Sequence, residues 1–228
     1  MAPATTTAQG LARLGSLIAD ETRAEILCAL MDGRAHTGGE LARHTGVAPS
    51  TVSGHLGKLL DGGIVAVEPQ GRHRYWRLAD QSIAELLESL GAAATIPDGP
   101  MAPADLLEAR TCYDHLAGRI AVEIYDRLLA ADHLRLDGER LDLAPSGFEL
   151  LASVGVDTEA IRGASRVAAR PCLDWTQRRP HLAGAAGREL LTALVDNGWM
   201  TLGRRPRSIR VTEIGRVELP RAFGLTWG

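Results

Sequence analysis

Between positions 49 and 60 the apolar residues Val52, Leu56, Leu59 and Leu60 recur at helical spacing. Ser50, Thr51, Gly54, Gly57 and Lys58 point away from that stripe, with Ser53 and His55 on its flanks. The pattern predicts an amphipathic helix, with Pro49 suited to its first turn and the Gly62-Gly63 pair ending it. Just upstream, Thr37 and Glu40 form a capping box that opens a helix over 38–44, and Gly46 breaks it. Downstream, 64–67 and 74–78 read as two strands, and the connection from Glu68 to His73 carries a turn glycine beside basic residues. An opening helix over 9–19 shows Leu11, Leu14, Leu17 and Ile18 on one side.

Short helix, tight turn, second helix and basic hairpin follow in the order of a winged helix-turn-helix, which implies a reader of double-stranded DNA. The polar face of the second helix consists of hydrogen-bond formers. Small hydroxyls approach phosphates and base edges closely, and a lysine neutralises phosphate. Lys58 is the chain's single lysine. From Ala48 to Leu78, Lys58, Arg72, Arg74 and Arg77 face only Asp61 and Glu68, so the segment is locally positive in a chain of net charge −3. The DNA-contacting set expected from this pattern is Ser50, Thr51, Ser53, His55, Lys58, Arg72 and Arg74. The competing reading is a solvated helix face in a winged-helix protein-interaction module without DNA-binding activity.

From Ala19 to Asp80 the chain resembles the ArsR family of bacterial winged-helix repressors. The resemblance rests on the opening Asp20-x-Thr22-Arg23, Glu40-Leu41-Ala42, Val52-Ser53-x-His55-Leu56, and Gly71-Arg72 in the wing. It implies a homodimer with one recognition helix per subunit in successive major grooves, the opening helix and the 82–90 helix forming the interface, and release of DNA when an effector binds. Two metal sites of the family are missing. Its best-known sensors carry Cys-x-Cys where this chain has Glu40-Leu41-Ala42-Arg43-His44. Another branch binds zinc on the helix after the wing, but 81–90 contains no histidine.

At 228 residues and 45% hydrophobic, the chain can bury one or two modest cores. No leader-like or membrane-length apolar run is visible, which points to the cytoplasm and to no membrane partner. An odd count of three cysteines argues against a disulfide framework. Cys28, beside Ile26, Leu27 and Leu30, is expected in the core. Gly-rich phosphate loops, nucleophile elbows and His-Glu-x-x-His are missing, so the chain does not read as an enzyme.

An Ala/Gly/Pro-rich stretch suggests three regions: a winged helix-turn-helix over 1–90, a linker over 91–108 and a C-terminal domain over 109–228. The C-terminal part repeats itself. Cys112-x-Asp114 and His115-Leu116-Ala117-Gly118 align with Cys172-x-Asp174 and His181-Leu182-Ala183-Gly184, each followed by a helical run, a hairpin and a helix start. The expected class is therefore mainly α with small β-hairpins (α+β), an N-terminal winged helix-turn-helix followed by two winged-helix-like units.

Cys112, His115 and Cys172 are candidate metal or thiol-sensing residues, with Asp114, Asp174 and His181 as further donors. Cys112-x-x-His115 is expected to present both ligands on one helix face. Matched cysteines equally suit equivalent core positions. Tyr113, Trp175 and Trp199 would suit the wall of a pocket for a small organic effector. Arg204, Arg205, Arg207 and Arg210, with Arg178, Arg179 and Arg188, read either as a structural or solvated charge cluster or as a second DNA contact.

Overall fold

A computed structural model describes residues 7–93, 103–138 and 140–227. The chain divides into two compact units, Met1–Ala84 and Glu85–Gly228. Most of the Ala/Gly/Pro-rich stretch falls on 94–102, outside the described residues.

In the first unit, α1 (Ala8–Ile18) is capped by the Thr7 hydroxyl and α2 (Glu21–Leu30) by the Asp20 carboxylate. The short strand β1 (His36–Thr37) leads into α3 (Gly38–Thr45), where both halves of the Thr37/Glu40 capping box are present. Gly46, at φ 70°, ends α3 in the left-handed region that glycine enters without a Cβ penalty. α4 (Pro49–Asp61) follows, then β2 (Val65–Gln70) and β3 (His73–Leu78). The three strands form one antiparallel sheet in the order β1-β3-β2, with Val65 opposite Leu78, Gln70 opposite His73 and His36 opposite Trp76. The hairpin is longer than the sequence pattern predicts, because Pro69 pairs with Arg74 instead of belonging to the turn. A proline is tolerated there because β2 is an edge strand.

Ile26, Leu27, Leu30, Leu41, Val52, Leu56, Leu59 and Leu78 are buried. Two residues expected on the apolar side are not. Leu60 is 38% exposed, and Cys28 is exposed rather than core. At about 100° per residue, position 28 of α2 points away from the side shared by Arg23, Ile26, Leu27 and Leu30, all buried.

The boundary between the units falls within α5 (Gln81–Ala93). The second unit continues with α6 (Ala104–Glu108), β4 (Arg110–Cys112), β5 (His115–Ala117), α7 (Arg119–Ala130), β6 (Leu134–Asp137), β7 (Arg140–Leu143) and α8 (Pro145–Ser153). After α9 (Thr158–Arg162) the order recurs: β8 (Arg170–Leu173), β9 (Pro180–Ala183), α10 (Gly184–Asp196), β10 (Met200–Leu202), β11 (Ile209–Val211) and α11 (Glu213–Phe223). Each copy is hairpin, helix, hairpin, helix, one hairpin more than the expected helix-hairpin-helix.

The copies interlock, since α7 packs on β9 and α10 on β5. Leu116, Ile120, Ile124, Tyr125, Leu182, Leu190 and Leu194 belong to the single core this creates. The repeated Ala-Gly explains itself sterically. Gly118 and Gly184 have φ of 94° and 84°, and a Cβ on them would lie 2.9 Å from the Glu108 carbonyl oxygen and 2.8 Å from that of Val167.

Candidate functional site

α4 presents Ser50, Thr51, Ser53 and Lys58 as exposed side chains, and the space beyond Gly54 and Gly57 is open. Ser53 lines one concave surface together with Arg72, His73 and Arg74 of the wing. Arg72 Nε donates to His73 Nε2 across 3.2 Å at the exposed turn. Lys58 lines a separate concavity with Arg13, Ser16 and Arg23. His55 is placed differently from the rest of the expected set: its Nδ1 lies 3.4 Å from Arg23 Nη1 and 3.6 Å from Asp20 Oδ1. Its ring therefore braces α4 against α2. Beneath β1, Asp32 accepts hydrogen bonds from the Arg34 backbone and guanidinium and lies 2.9 Å from His36 Nε2. Burial opposes its ionisation, but these partners outweigh the cost and hold the carboxyl below its ordinary value.

The second unit gathers four candidate donors. Cys112 and His115 are not on a helix face; they are directly opposed residues of the β4–β5 hairpin, joined through Tyr113 and Asp114. Cys172 and His181 are the matching opposed pair of β8–β9. One donor atom from each of the four lies within 4.8 Å of all the others. The two sulfurs are 3.9 Å apart and the two imidazole Nε2 atoms 3.1 Å apart. The rings stack with centroids 5.1 Å apart. Cys112, His115 and His181 are buried, and Cys172 is partly so.

Packing together, these groups share protons unequally. Donation from Cys112 holds the Cys172 thiol far below the usual cysteine range against the cost of burial, and the two imidazoles add to the effect. The same contact, with burial and the nearby Glu88, pushes Cys112 up. Burial disfavours charge on His115, but Asp114 and Cys172 outweigh it and raise its pKa. Burial, the larger effect on His181, lowers it.

A carboxylate backs each ring. Asp114 Oδ1 is 3.3 Å from His115 Nδ1, and its other oxygen accepts from Arg166 at 2.7 Å. Asp174 Oδ2 is 3.8 Å from His181 Nδ1 and 3.0 Å from Arg110 Nη2, with the Asp174, Arg110 and His181 side chains all at 0% exposure. Asp174 also accepts from the Gly118 backbone at 2.6 Å, from the Thr176 backbone and hydroxyl and from the Gln177 backbone. Burial works against this carboxylate, yet Arg110 and the four donors keep it strongly depressed. The repeat aligns His181 with His115, but sequence reasoning misses the Arg110–Asp174 pair. Nothing in the spacing of two residues 64 apart signals that they meet.

The aromatic residues expected to wall a common pocket serve separately. Trp175 stacks under the Arg110 guanidinium at 4.9 Å, Trp199 packs on the core, and Tyr113 forms the β4–β5 turn with φ 60°. The C-terminal arginines are largely paired: Arg179 with Asp126, Arg188 with Glu189, Arg205 with Asp105 and Arg207 with Glu88. Arg204 and Arg210 are exposed.

Comparison with known proteins bears on the whole chain. Residues 20–67 match the family described as bacterial regulatory protein, arsR family. A Bacillus subtilis protein described as an uncharacterized HTH-type transcriptional regulator, YdfF, is 38% identical over 216 residues, covering 92% of this chain and 96% of that protein. The HTH-type transcriptional regulator CmtR of Mycobacterium tuberculosis is 45% identical over 80 residues, 35% of this chain and 67% of CmtR. A solution structure of the homodimeric winged helix-turn-helix DNA-binding domain of Mb0332 from Mycobacterium bovis is 25% identical. It covers 44% of this chain and 99% of that fragment, at a TM-score of 0.37.

Proposed function

This chain belongs to the arsR family of bacterial regulatory proteins, and from that premise we propose that it is a homodimeric, sequence-specific transcriptional repressor acting in the cytoplasm. In this reading it leaves its DNA when the second unit takes up an effector. The observation that carries the DNA-contact assignment is the exposed row Ser50, Thr51, Ser53 and Lys58 on α4, beside the concave surface where Ser53 meets Arg72 and Arg74. Hydroxyls and cations at that spacing suit phosphates and major-groove edges. With Gly54 and Gly57 opening onto empty space, base contacts are few, and phosphate contacts and DNA shape carry more of the specificity.

The homodimer is supported by α1, which buries no residue within the chain and leaves Leu11 59% exposed. Among the described residues no helix is long and apolar enough to cross a membrane.

The test is to select an operator from random duplex DNA and measure its affinity across a salt series. A dimer should favour a pseudo-palindrome with half-sites about one helical turn apart. Replacing Lys58 and Arg72 with alanine should reduce the slope of log affinity against log salt by about 0.9 for each phosphate that is no longer neutralised, and weaken binding to all sequences alike. An unchanged slope, or no salt-sensitive binding by the parent protein, overturns the reading and favours a protein-interaction module.

A further inference from the structure

We propose that Cys112, His115, Cys172 and His181 form a closed, tetrahedral site for a thiophilic divalent ion of the zinc class, zinc itself or its heavier congener cadmium. The ion would clamp the β4–β5 hairpin to the β8–β9 hairpin. The assignment gives a chemical class to the effector proposed above and rests on that reading only for its regulatory meaning.

Geometry is the first argument. Zinc bonds of about 2.3 Å to sulfur and about 2.0–2.1 Å to nitrogen make tetrahedral edges of roughly 3.8 Å between sulfurs and 3.3–3.4 Å between nitrogens. The observed edges are 3.9 Å between the sulfurs and 3.1 Å between the Nε2 atoms. A disulfide would need the sulfurs at about 2.05 Å. With the two Nε2 atoms facing each other, each Nδ1 faces its own carboxylate, at 3.3 Å for Asp114 and at 3.8 Å, beyond hydrogen-bond reach, for Asp174. At His115 this is the carboxylate–histidine arrangement that supports metal ligands and fixes the ring tautomer and orientation.

Charge and coordination agree. Two thiolates neutralise a divalent ion, while Asp174 is already balanced by Arg110. Soft sulfur with imidazole selects zinc-class ions over magnesium or calcium. Four protein donors leave no open position, so the site holds an ion without offering it to a substrate. The fourfold set also follows from the repeat, because each copy supplies one opposed Cys/His pair at the same register.

The strands that carry the cysteines are also tied to α5. Arg170, two residues before Cys172, pairs with Glu85. Arg207 pairs with Glu88 and donates through Nε to the carbonyl of Thr111, next to Cys112, at 3.0 Å. The Thr111 backbone donates in return to the Arg207 carbonyl at 2.7 Å. Closing the two hairpins on an ion therefore sets the platform that grips Glu85 and Glu88 on one helix.

The experiment uses the full chain, purified with reductant and chelator, freed of both and titrated with cobalt(II) and then zinc(II) in the absence of DNA. The expected result is one ion per chain by native mass spectrometry. Cobalt should give intense visible bands of a tetrahedral ion and sulfur-to-cobalt charge transfer, both erased as zinc displaces it. Cys112→Ser and Cys172→Ser should each remove much of the charge transfer and lower zinc affinity at least 100-fold. Asp114→Asn, at a partly exposed position, should keep the stoichiometry and weaken affinity about 10- to 100-fold. Competition with cadmium decides which ion of the class is preferred. Should a cysteine variant fail to fold, as judged by circular dichroism, the parent cobalt spectrum and the Asp114→Asn titration still decide. Zero stoichiometry in the reduced protein, an octahedral cobalt spectrum, or full binding by a folded Cys112→Ser/Cys172→Ser variant overturns the proposal. Since no DNA is present, its failure would leave salt-dependent operator binding untouched, and failure of operator binding would leave the cobalt spectrum intact.

Discussion

Asp174→Ala tests how the second unit is held together. In the parent protein this carboxylate accepts four hydrogen bonds, from Gly118, Thr176 (backbone and hydroxyl) and Gln177, and lies 3.0 Å from Arg110 Nη2 with both side chains fully buried. Gly118 begins the helix of the first repeat, whereas Asp174 lies in the second. The carboxylate therefore fastens one copy to the other. Its removal strands the Arg110 guanidinium without a counter-charge, which costs about 3–5 kcal/mol. The hydrogen bonds removed with it overlap with that figure and are partly replaced by water, so they are not added to it. For a unit of this size each kcal/mol lowers the melting temperature by about 2–4 °C, so the expected drop is on the order of 6–20 °C. Differential scanning calorimetry in the presence of chelator measures it, resolving the transition of the second unit from that of the first. Arg110→Met completes a double-mutant cycle. Once the guanidinium is gone, the loss of Asp174 should cost at least about 2 kcal/mol less. A loss below about 1 kcal/mol for Asp174→Ala, or strictly additive effects, would refute the argument that this pair is a coupled element of the core.

Three further outcomes are expected. Asp32 has its folded pKa depressed by its His36 and Arg34 partners despite burial, so its contribution is complete above the unfolded aspartate pKa of about 3.9 and is lost as pH falls toward the lower folded value. The stability gap between the parent and Asp32→Asn should shrink as pH falls from about 5 to about 3; urea midpoints that keep a constant gap over that range would contradict this. Gly184→Ala places a Cβ 2.8 Å from the Val167 carbonyl oxygen at φ 84°, costing at least about 1–2 kcal/mol from the backbone alone. By contrast Gly54→Ala, in open space on α4, should raise stability by about 1 kcal/mol; equal effects at the two positions would undo the steric account. Leu11→Glu, on the exposed side of α1, should convert the proposed dimer to monomer in sedimentation velocity, and an unchanged mass would move the interface elsewhere.

What can be read from sequence is local. The Thr37/Glu40 capping box, the Gly46 stop, Pro49 in the first turn and the apolar stripe of α4 each depend on residues within about one helical turn, so their spacing in sequence is their spacing in space. The likeness between the two C-terminal copies is legible for a related reason: the Ala-Gly that starts each helix answers the same steric demand twice. Three-residue strands carry too little periodicity to be told from a helix start, so the spacing of Cys112 and His115 suggests a helix face although they oppose each other across a hairpin. Cys28 escapes the sequence pattern because apolar neighbours along the chain say nothing of the helix side until the buried side is known. The diversion of His55 to Asp20 and Arg23, the Arg110–Asp174 pair and the meeting of four donors from two hairpins are decided by tertiary structure alone. Their energies come from desolvated groups brought together by packing, and a linear chain does not record which distant groups will share that space.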